Sequence, residues 1–265
     1  MYAFDYAKPD GIDAAKQAMQ GEGAVALSGG QTLIPTLKQR LNMPGVLVDL
    51  TKVDGMKGVT REGDAIRIGA ATTHHEVSTD ATMNEAIPGL ASLAGRIGDP
   101  QVRNRGTIGG SLANNDPAAC YPSAILALGA TIVTDRREIA ASDFFTGLYE
   151  TALEEGEIVT AVKVPVPQSS HYEKMVQPAS RFPLTAVFVA RMGDGSVRVG
   201  VTGAGRDGVF RHEGLEQALG SDFSAGAVDG VQVSADGLAS DLHGTPEYRA
   251  NLIKVLTKRA VQALA

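Results

Sequence analysis

One glycine-rich stretch constrains the fold of this chain more than any other segment: Gly106 to Pro117, with the sequence GTIGGSLANNDP. Paired glycines let the backbone adopt positive φ and let a ligand approach without obstruction from a Cβ atom. The hydroxyls of Thr107 and Ser111, together with free backbone N–H groups, form the kind of donor surface that holds phosphate oxygens. A single Gly-Gly pair is more typical of a tight turn between strands, so this stretch alone does not establish a ligand site.

A second glycine loop, Ser28 to Pro35 with the sequence SGGQTLIP, favours ligand binding. Two such loops predict a ligand with two phosphates that is held from two sides. This loop lies between two short apolar segments, 24–28 and 46–50, and residues 32–41 repeat leucine at helical spacing. The pattern predicts a βαβ unit in which 24–28 is a buried strand and the loop precedes a helix N-terminus, a position that suits an anion.

Composition limits the classes of partner and the compartment. The chain has 265 residues, 43% of them hydrophobic, and a net charge of −6. This acidic balance makes nucleic acid and anionic membranes poor default partners. No apolar stretch reaches the roughly 18 residues of a membrane-spanning helix, and the first residues do not have the pattern of a secretion signal. These features predict a cytoplasmic protein with enough length for two or three domains.

The chain has one cysteine, Cys120, and five histidines. An iron–sulfur cluster requires about four ligands, so a cluster on this chain is excluded. His74 and His75 are adjacent and therefore point apart on most backbones, which argues against a metal site. Any redox chemistry is expected to come from a bound organic cofactor.

Capping and breaking residues predict the remaining organisation. Asp10, Thr73 and Thr245 are predicted to cap helices, the last of them with a proline at the first helical position. The segment Pro165 to Pro167 ends an alternating strand pattern and marks a boundary. We therefore predict three units: residues 1–55 with the first glycine loop, residues 56–167 with the second, and a smaller C-terminal domain over residues 168–265.

Another motif, Gly203 to Gly208, matches the dinucleotide fingerprint GxGxxG, and Asp222 follows at a suitable distance. That fingerprint requires a parallel βαβ context. Here the preceding strand belongs to a hairpin predicted at Gly193 to Gly195, and residues 209–212 are a poor helix start. The sequence predicts a surface turn at this motif rather than a Rossmann site.

Together, the two glycine loops resemble the FAD-binding medium subunits of molybdenum hydroxylases, the family of carbon monoxide dehydrogenase and xanthine dehydrogenase. The resemblance covers essentially the whole chain and extends to Gly156–Val159, Tyr172–Lys174 and Pro178–Phe182. It implies an α+β (mixed α/β) architecture, the PCMH/VAO-type FAD-binding fold. In that fold two α/β subdomains clasp FAD and a C-terminal α+β domain follows.

The same resemblance implies which residues contact FAD, and it implies no catalytic residue on this chain. Ile97 and Ile158 match positions that pack near the cofactor, although ordinary core packing would account for both. The two glycine loops match the segments that bind the FAD pyrophosphate. The implied cofactor-binding residues are Ser28, Gly29, Gly30, Gln31, Thr32, Leu33, Ile97, Thr107, Ile108, Gly109, Gly110, Ser111, Asn115, Asp116, Cys120, Ile158 and Lys174.

At two positions this chain departs from the family pattern. Relatives usually carry an aspartate where this chain has Cys120, so one polar contact to FAD is missing or is supplied by Asp116. A buried, inert thiol is the favoured state for Cys120. Several relatives place a lysine about two residues beyond Lys174 to contact the flavin, but Val176 stands there in this chain.

In function, the resemblance implies an electron conduit. A large molybdenum-bearing subunit oxidises substrate, a small subunit with two [2Fe–2S] clusters passes electrons on, and FAD delivers them to quinone, NAD, oxygen or another carrier. The family assembles as a dimer of heterotrimers. Two other interpretations remain: a stand-alone flavoprotein reductase of the same fold, like the enzyme that makes UDP-N-acetylmuramate, and a non-redox nucleotide-binding module.

Overall fold

The first sheet in the computed structural model, which describes residues 1–264, is small and parallel. Its elements are β1 (Asp5–Ala7), α1 (Ile12–Ala18), β2 (Ala24–Leu27), α2 (Leu33–Lys38) and β3 (Val46–Asp49), followed by a 3-10 turn (Leu50–Lys52). Strand β3 is parallel to both β1 and β2, which confirms the βαβ unit. The predicted burial of β2 is wrong: its residues are half-buried or exposed, and Val25, Ala26 and Leu27 line a cavity.

The second sheet is antiparallel and has the spatial order β4-β5-β10-β6-β7. Strands β8 and β9 form a separate hairpin. The strands are β4 (Val59–Glu62), β5 (Ala65–Gly69), β6 (Thr131–Thr134), β7 (Glu138–Ala140), β8 (Phe145–Gly147), β9 (Glu150–Thr151) and β10 (Val159–Pro165). The helices are α3 (His74–Thr79), α4 (Ala81–Ala86), α5 (Pro88–Gly95), α6 (Pro100–Arg103), α7 (Ile108–Asn114), α8 (Tyr121–Leu128) and α9 (Ala141–Phe144).

The C-terminal sheet is antiparallel and packs on both faces. It comprises β11 (Ser169–Val176), β12 (Pro183–Arg191), β13 (Val197–Thr202) and β14 (Phe210–Arg211), with helices α10 (Glu213–Ser221), α11 (Ala225–Asp229) and α12 (Pro246–Gln262). In β12, Phe188 joins the core shared with α8, whereas Val187 and Val189 join a second core with α12. This double covering explains why β12 is almost continuously apolar.

In this C-terminal part the structure agrees with three local predictions from the sequence. The turn at Gly193–Gly195 joins β12 to β13 as an antiparallel hairpin, as predicted. The GxGxxG motif follows β13 and leads into β14 rather than into a helix, so the Rossmann reading is excluded. Thr245 accepts from the Tyr248 N–H at the start of α12, with Pro246 at the first helical position.

Of the two helix caps predicted in the N-terminal half, one is confirmed and one is wrong. Thr73 and Glu76 form a reciprocal capping box at α3, which confirms the cap. Asp10 does not cap α1: Gly11 occupies the N-cap, because the Asp10 carbonyl accepts from the Asp54 N–H and stays outside the helix. Within residues 1–264, no helix combines the length and apolar composition needed to cross a bilayer.

Candidate functional site

The first glycine loop turns from β2 into α2 and approaches the second loop at backbone contact. Gly30 has a φ of +69°, a conformation that favours glycine. A Cβ atom at Gly29 would lie 2.2 Å from the Arg105 carbonyl oxygen and 2.6 Å from the Gly106 Cα. The residue therefore has to be glycine for the two loops to touch.

The second glycine stretch is the start of α7 and not an irregular loop, which corrects the expectation of positive φ at its Gly-Gly pair. Thr107 is the N-cap and accepts from the Gly110 N–H. Gly109 donates its N–H to the Ala70 carbonyl, and a Cβ there would lie 2.5 Å from the Ala70 Cβ. Close packing on Ala70, directly after β5, requires glycine at position 109, rather than backbone freedom.

Gly110 faces the space between the loops. A Cβ atom on this residue would meet the Thr107 Oγ1 at 2.9 Å and the Ser28 Cβ at 3.8 Å, with no other contact within 4 Å beyond its own helix backbone and chain neighbours. The Ser28 Oγ lies 2.9 Å from the Thr107 Oγ1, so one hydroxyl donates to the other. The two loops thus direct hydroxyl groups to one point, beside a space that glycine leaves open.

Both loops line a cavity of about 810 Å³. This volume lies in the upper part of the ~300–1,000 Å³ range of ligand pockets. Most of the residues predicted to bind the cofactor form its wall. They are Ser28, Gly29, Gly30, Gln31, Thr32, Leu33, Ile97, Thr107, Gly109, Gly110, Ser111, Asp116 and Ile158.

Four predicted residues do not lie on the cavity wall. Ile108 is fully buried in the core, on the side of α7 that packs away from the cavity. Asn115 ends α7 with a φ of 40°, and its side chain donates to the carbonyls of Gly147 and Glu150 in the β8–β9 hairpin. Cys120 and Lys174 are buried behind the wall, with the Lys174 Nζ 3.7 Å from the Cys120 Sγ. These four residues support the site from outside.

Other wall residues were not predicted from the sequence as site residues. Ser180 and Phe182 belong to a segment that carries the family resemblance, so a signal existed for them. His74 follows the predicted cap Thr73 and also lies on the wall. Leu50 and Met56 line the cavity too, but nothing in the sequence distinguishes them from ordinary core residues.

Two titratable groups on the wall have defined charge states. Burial, with a contribution from the nearby Arg103 charge, lowers the pKa of His74 to about 4, so its imidazole is neutral at neutral pH. Hydrogen bonds from Arg137 lower the pKa of Glu157 to about 2. The Glu157 carboxylate is therefore ionised and already paired with a guanidinium, and neither group strongly opposes an anionic ligand.

The fold brings the two glycine loops together at one cavity of the size that ligand pockets have. The family profile described as "FAD binding domain in molybdopterin dehydrogenase" matches residues 2–167. The chain therefore belongs to this family: it is an FAD-binding medium subunit of the molybdenum hydroxylases, a flavoprotein component of oxidoreductases.

Individual relatives agree over nearly the whole chain. The carbon monoxide dehydrogenase medium chain of Afipia carboxidovorans is 34% identical, covering 98% of this chain and 96% of that protein. The nicotine 6-hydroxylase medium subunit of Paenarthrobacter nicotinovorans is also 34% identical, with the same coverage. The structure of reconstituted CO dehydrogenase from Oligotropha carboxidovorans superposes with a TM-score of 0.90 at 33% identity, covering 98% of this chain and 97% of that one.

Proposed function

We propose that the FAD pyrophosphate lies between the two glycine loops, against Ser28–Leu33 on one side and Thr107–Ser111 on the other. The contact between the Ser28 Oγ and the Thr107 Oγ1 at 2.9 Å carries this proposal, because it joins the two donor surfaces at one point. The open side of Gly110 supports it as well, since a Cβ there would project into the proposed phosphate site. Hydroxyl and backbone N–H donors suit phosphate oxygens.

The remaining wall residues complete the proposed FAD site. Ile97 and Ile158 supply apolar surface for the cofactor rings, and Asp116 supplies a carboxylate in place of the aspartate that Cys120 replaces. Asn115, Ile108, Cys120 and Lys174 act from behind the wall. In this arrangement residues 1–55 and 56–167 are the two clasping subdomains, and residues from 168 onward form the C-terminal domain.

The chain is proposed to pass electrons from [2Fe–2S] clusters on a small partner subunit to an external acceptor, while a large partner subunit with the molybdenum cofactor oxidises the substrate. FAD supplies chemistry that accepts and releases electrons singly or in pairs. The names of the relatives, a "medium chain" and a "medium subunit", support a place in a multi-subunit complex. The single cysteine supports clusters on another chain, because each cluster requires about four ligands.

Within the complex, this chain binds and orients the flavin and keeps its surroundings apolar. We extend the proposal to a dimer of heterotrimers in the cytoplasm. The route of the electrons does not depend on the identity of the substrate, so it is tested without a substrate.

Removal of FAD from the assembled complex is expected to block electron transfer to the external acceptor. The partner clusters are reduced with a limiting amount of dithionite under anaerobic conditions, and their reoxidation by quinone or NAD is followed by visible absorbance. FAD is removed by dialysis, and the control is complex that was dialysed in the same way but kept its FAD. The clusters of the FAD-free complex should be reoxidised at least about 100-fold more slowly than those of the control. Added FAD should restore the rate. Equal rates with and without FAD would show that electrons bypass this chain.

A further inference from the structure

Lys174 on β11 is buried, with 6% of its surface exposed, and its ammonium group has three acceptors. The Nζ donates to the Arg96 carbonyl at 2.7 Å and to the Arg181 carbonyl at 2.9 Å, and the Cys120 Sγ lies at 3.7 Å. An ammonium group has three N–H donors, so all of them are used. A buried amine with this many partners is a structural anchor and has no donor left for a ligand.

Each of the three acceptors is a neighbour in sequence of residues on the cavity wall. Arg96 precedes Ile97, Cys120 follows Ala119, and Arg181 lies between Ser180 and Phe182. Arg96 and Arg181 bond through main-chain oxygens, so the ammonium fixes the backbone at these two places. From this geometry we propose that Lys174 is a positioning residue: from behind, it fixes the two segments of the FAD-site wall next to Arg96 and Arg181 and contacts a third segment at Cys120. This inference rests on the proposed function.

The loop at residues 177–182 has the greatest need of such an anchor. Ser180 and Arg181 both adopt positive φ, 54° and 57°, although neither is glycine. Residues other than glycine rarely adopt this backbone conformation, and it persists only where other contacts impose it. Two hydrogen bonds hold the backbone of this loop: the Gln177 N–H donates to the Phe182 carbonyl, and the Lys174 Nζ donates to the Arg181 carbonyl.

The charge of Lys174 adds a second consequence. Burial lowers the pKa of Lys174, while the neighbouring Cys120 opposes that effect. A cation behind the wall favours the form of the cofactor with more negative charge, because Coulomb interactions are strong where water is excluded. Loss of this cation is therefore expected to make the bound flavin harder to reduce.

The test compares Lys174→Met with Lys163→Met in the holoprotein. Lys163 also lies on a strand, but it pairs with the exposed Glu138 at the surface. Lys174→Met should bind FAD about tenfold or more weakly, with altered visible circular dichroism and a more negative flavin potential. Lys163→Met should match the wild type in all three measurements. Wild-type values for folded Lys174→Met would overturn the inference, whereas failure of the wild type to bind FAD would overturn the proposed function instead.

A second variant separates positioning from general stability. Glycine adopts positive φ without steric cost, so Arg181→Gly should recover part of the affinity lost in Lys174→Met.

If Lys174→Met does not fold, Lys174→Gln is measured instead, since its amide retains two donors. Lys174→Gln should show a more negative potential and weaker FAD binding, and wild-type behaviour in both measurements would contradict the inference.

Discussion

Gly110→Val is expected to purify as a folded but colourless protein. The new side chain would extend from a position whose two close neighbours are the Thr107 Oγ1 and the Ser28 Cβ, so it would grow into the space proposed for the FAD pyrophosphate. Exclusion of the phosphates should weaken FAD binding by about 100-fold or more, equivalent to about 2.7 kcal/mol. Equilibrium titration with FAD, followed by the change in flavin fluorescence, measures the effect.

Two other glycine variants serve as controls for this result. Gly220→Val also places valine in a helix, in α10, but apart from its own helix backbone and chain neighbours no atom lies within 4 Å of the added Cβ, so its FAD affinity should equal that of the wild type. Gly109→Val should be unstable, because its side chain would collide with Ala70 in the protein itself. Normal FAD content in Gly110→Val would show that the start of α7 is not the pyrophosphate site.

Gly29→Ala is expected to lose both FAD and thermal stability. A single methyl group would lie 2.2 Å from the Arg105 carbonyl oxygen and 2.6 Å from the Gly106 Cα. Main-chain atoms on both sides leave no side chain that could rotate away, so the loops must separate. Overpacking of this kind costs about 1–3 kcal/mol, and it should lower the melting temperature by several degrees.

The matched control for this variant is Gly193→Ala, in the turn between β12 and β13. Apart from its chain neighbours, no atom lies within 4 Å of an added Cβ there, and its φ does not lie in the left-handed region. Both variants are compared by calorimetry and by flavin content after purification. If Gly29→Ala keeps its FAD and melts with Gly193→Ala, the close approach of the loops has no role in binding.

Much of the fold follows from local sequence signals. Proline and glycine residues mark the ends of β2, α2 and β3 closely enough to predict the βαβ unit. Thr73 and Thr245 begin their helices because their hydroxyls accept backbone N–H groups that have no partner within the helix. The turn at Gly193–Gly195 is equally local. Such signals act within a few residues, so no knowledge of the rest of the molecule is needed to interpret them.

Tertiary contacts decided the features that sequence reasoning missed. Two glycines in succession disfavour a helix by about 1 kcal/mol each, yet α7 forms because Thr107 caps it and Gly109 packs on Ala70. Strand β2 has an apolar sequence typical of a core strand, but its side chains line the cavity. The packing of Gly109 on Ala70 and the cavity beside β2 both involve residues that are far away in sequence, so no local pattern reports them.

In the candidate site too, local motifs were predictable from the sequence and tertiary contacts were not. The glycine motifs identify the residues next to the proposed pyrophosphate, because the residues of each motif are close together in the sequence as well as in space. Lys174 was predicted as a cofactor contact, but it lies on the buried face of β11 with Tyr172 and bonds to Arg96, which is 78 residues away. The alternation of a strand predicts which residues share a face, but it does not predict the partners of that face.

An absorption spectrum of the purified chain, with the released cofactor identified by chromatography after heat denaturation, tests the central claim most directly. We expect a flavin spectrum and about one FAD per chain, as for a subunit whose redox chemistry comes from a bound cofactor. A colourless chain that also fails to bind added FAD would contradict the account. Cys120→Asp, which introduces the aspartate that the family resemblance implies at this position, would then be the first variant to test.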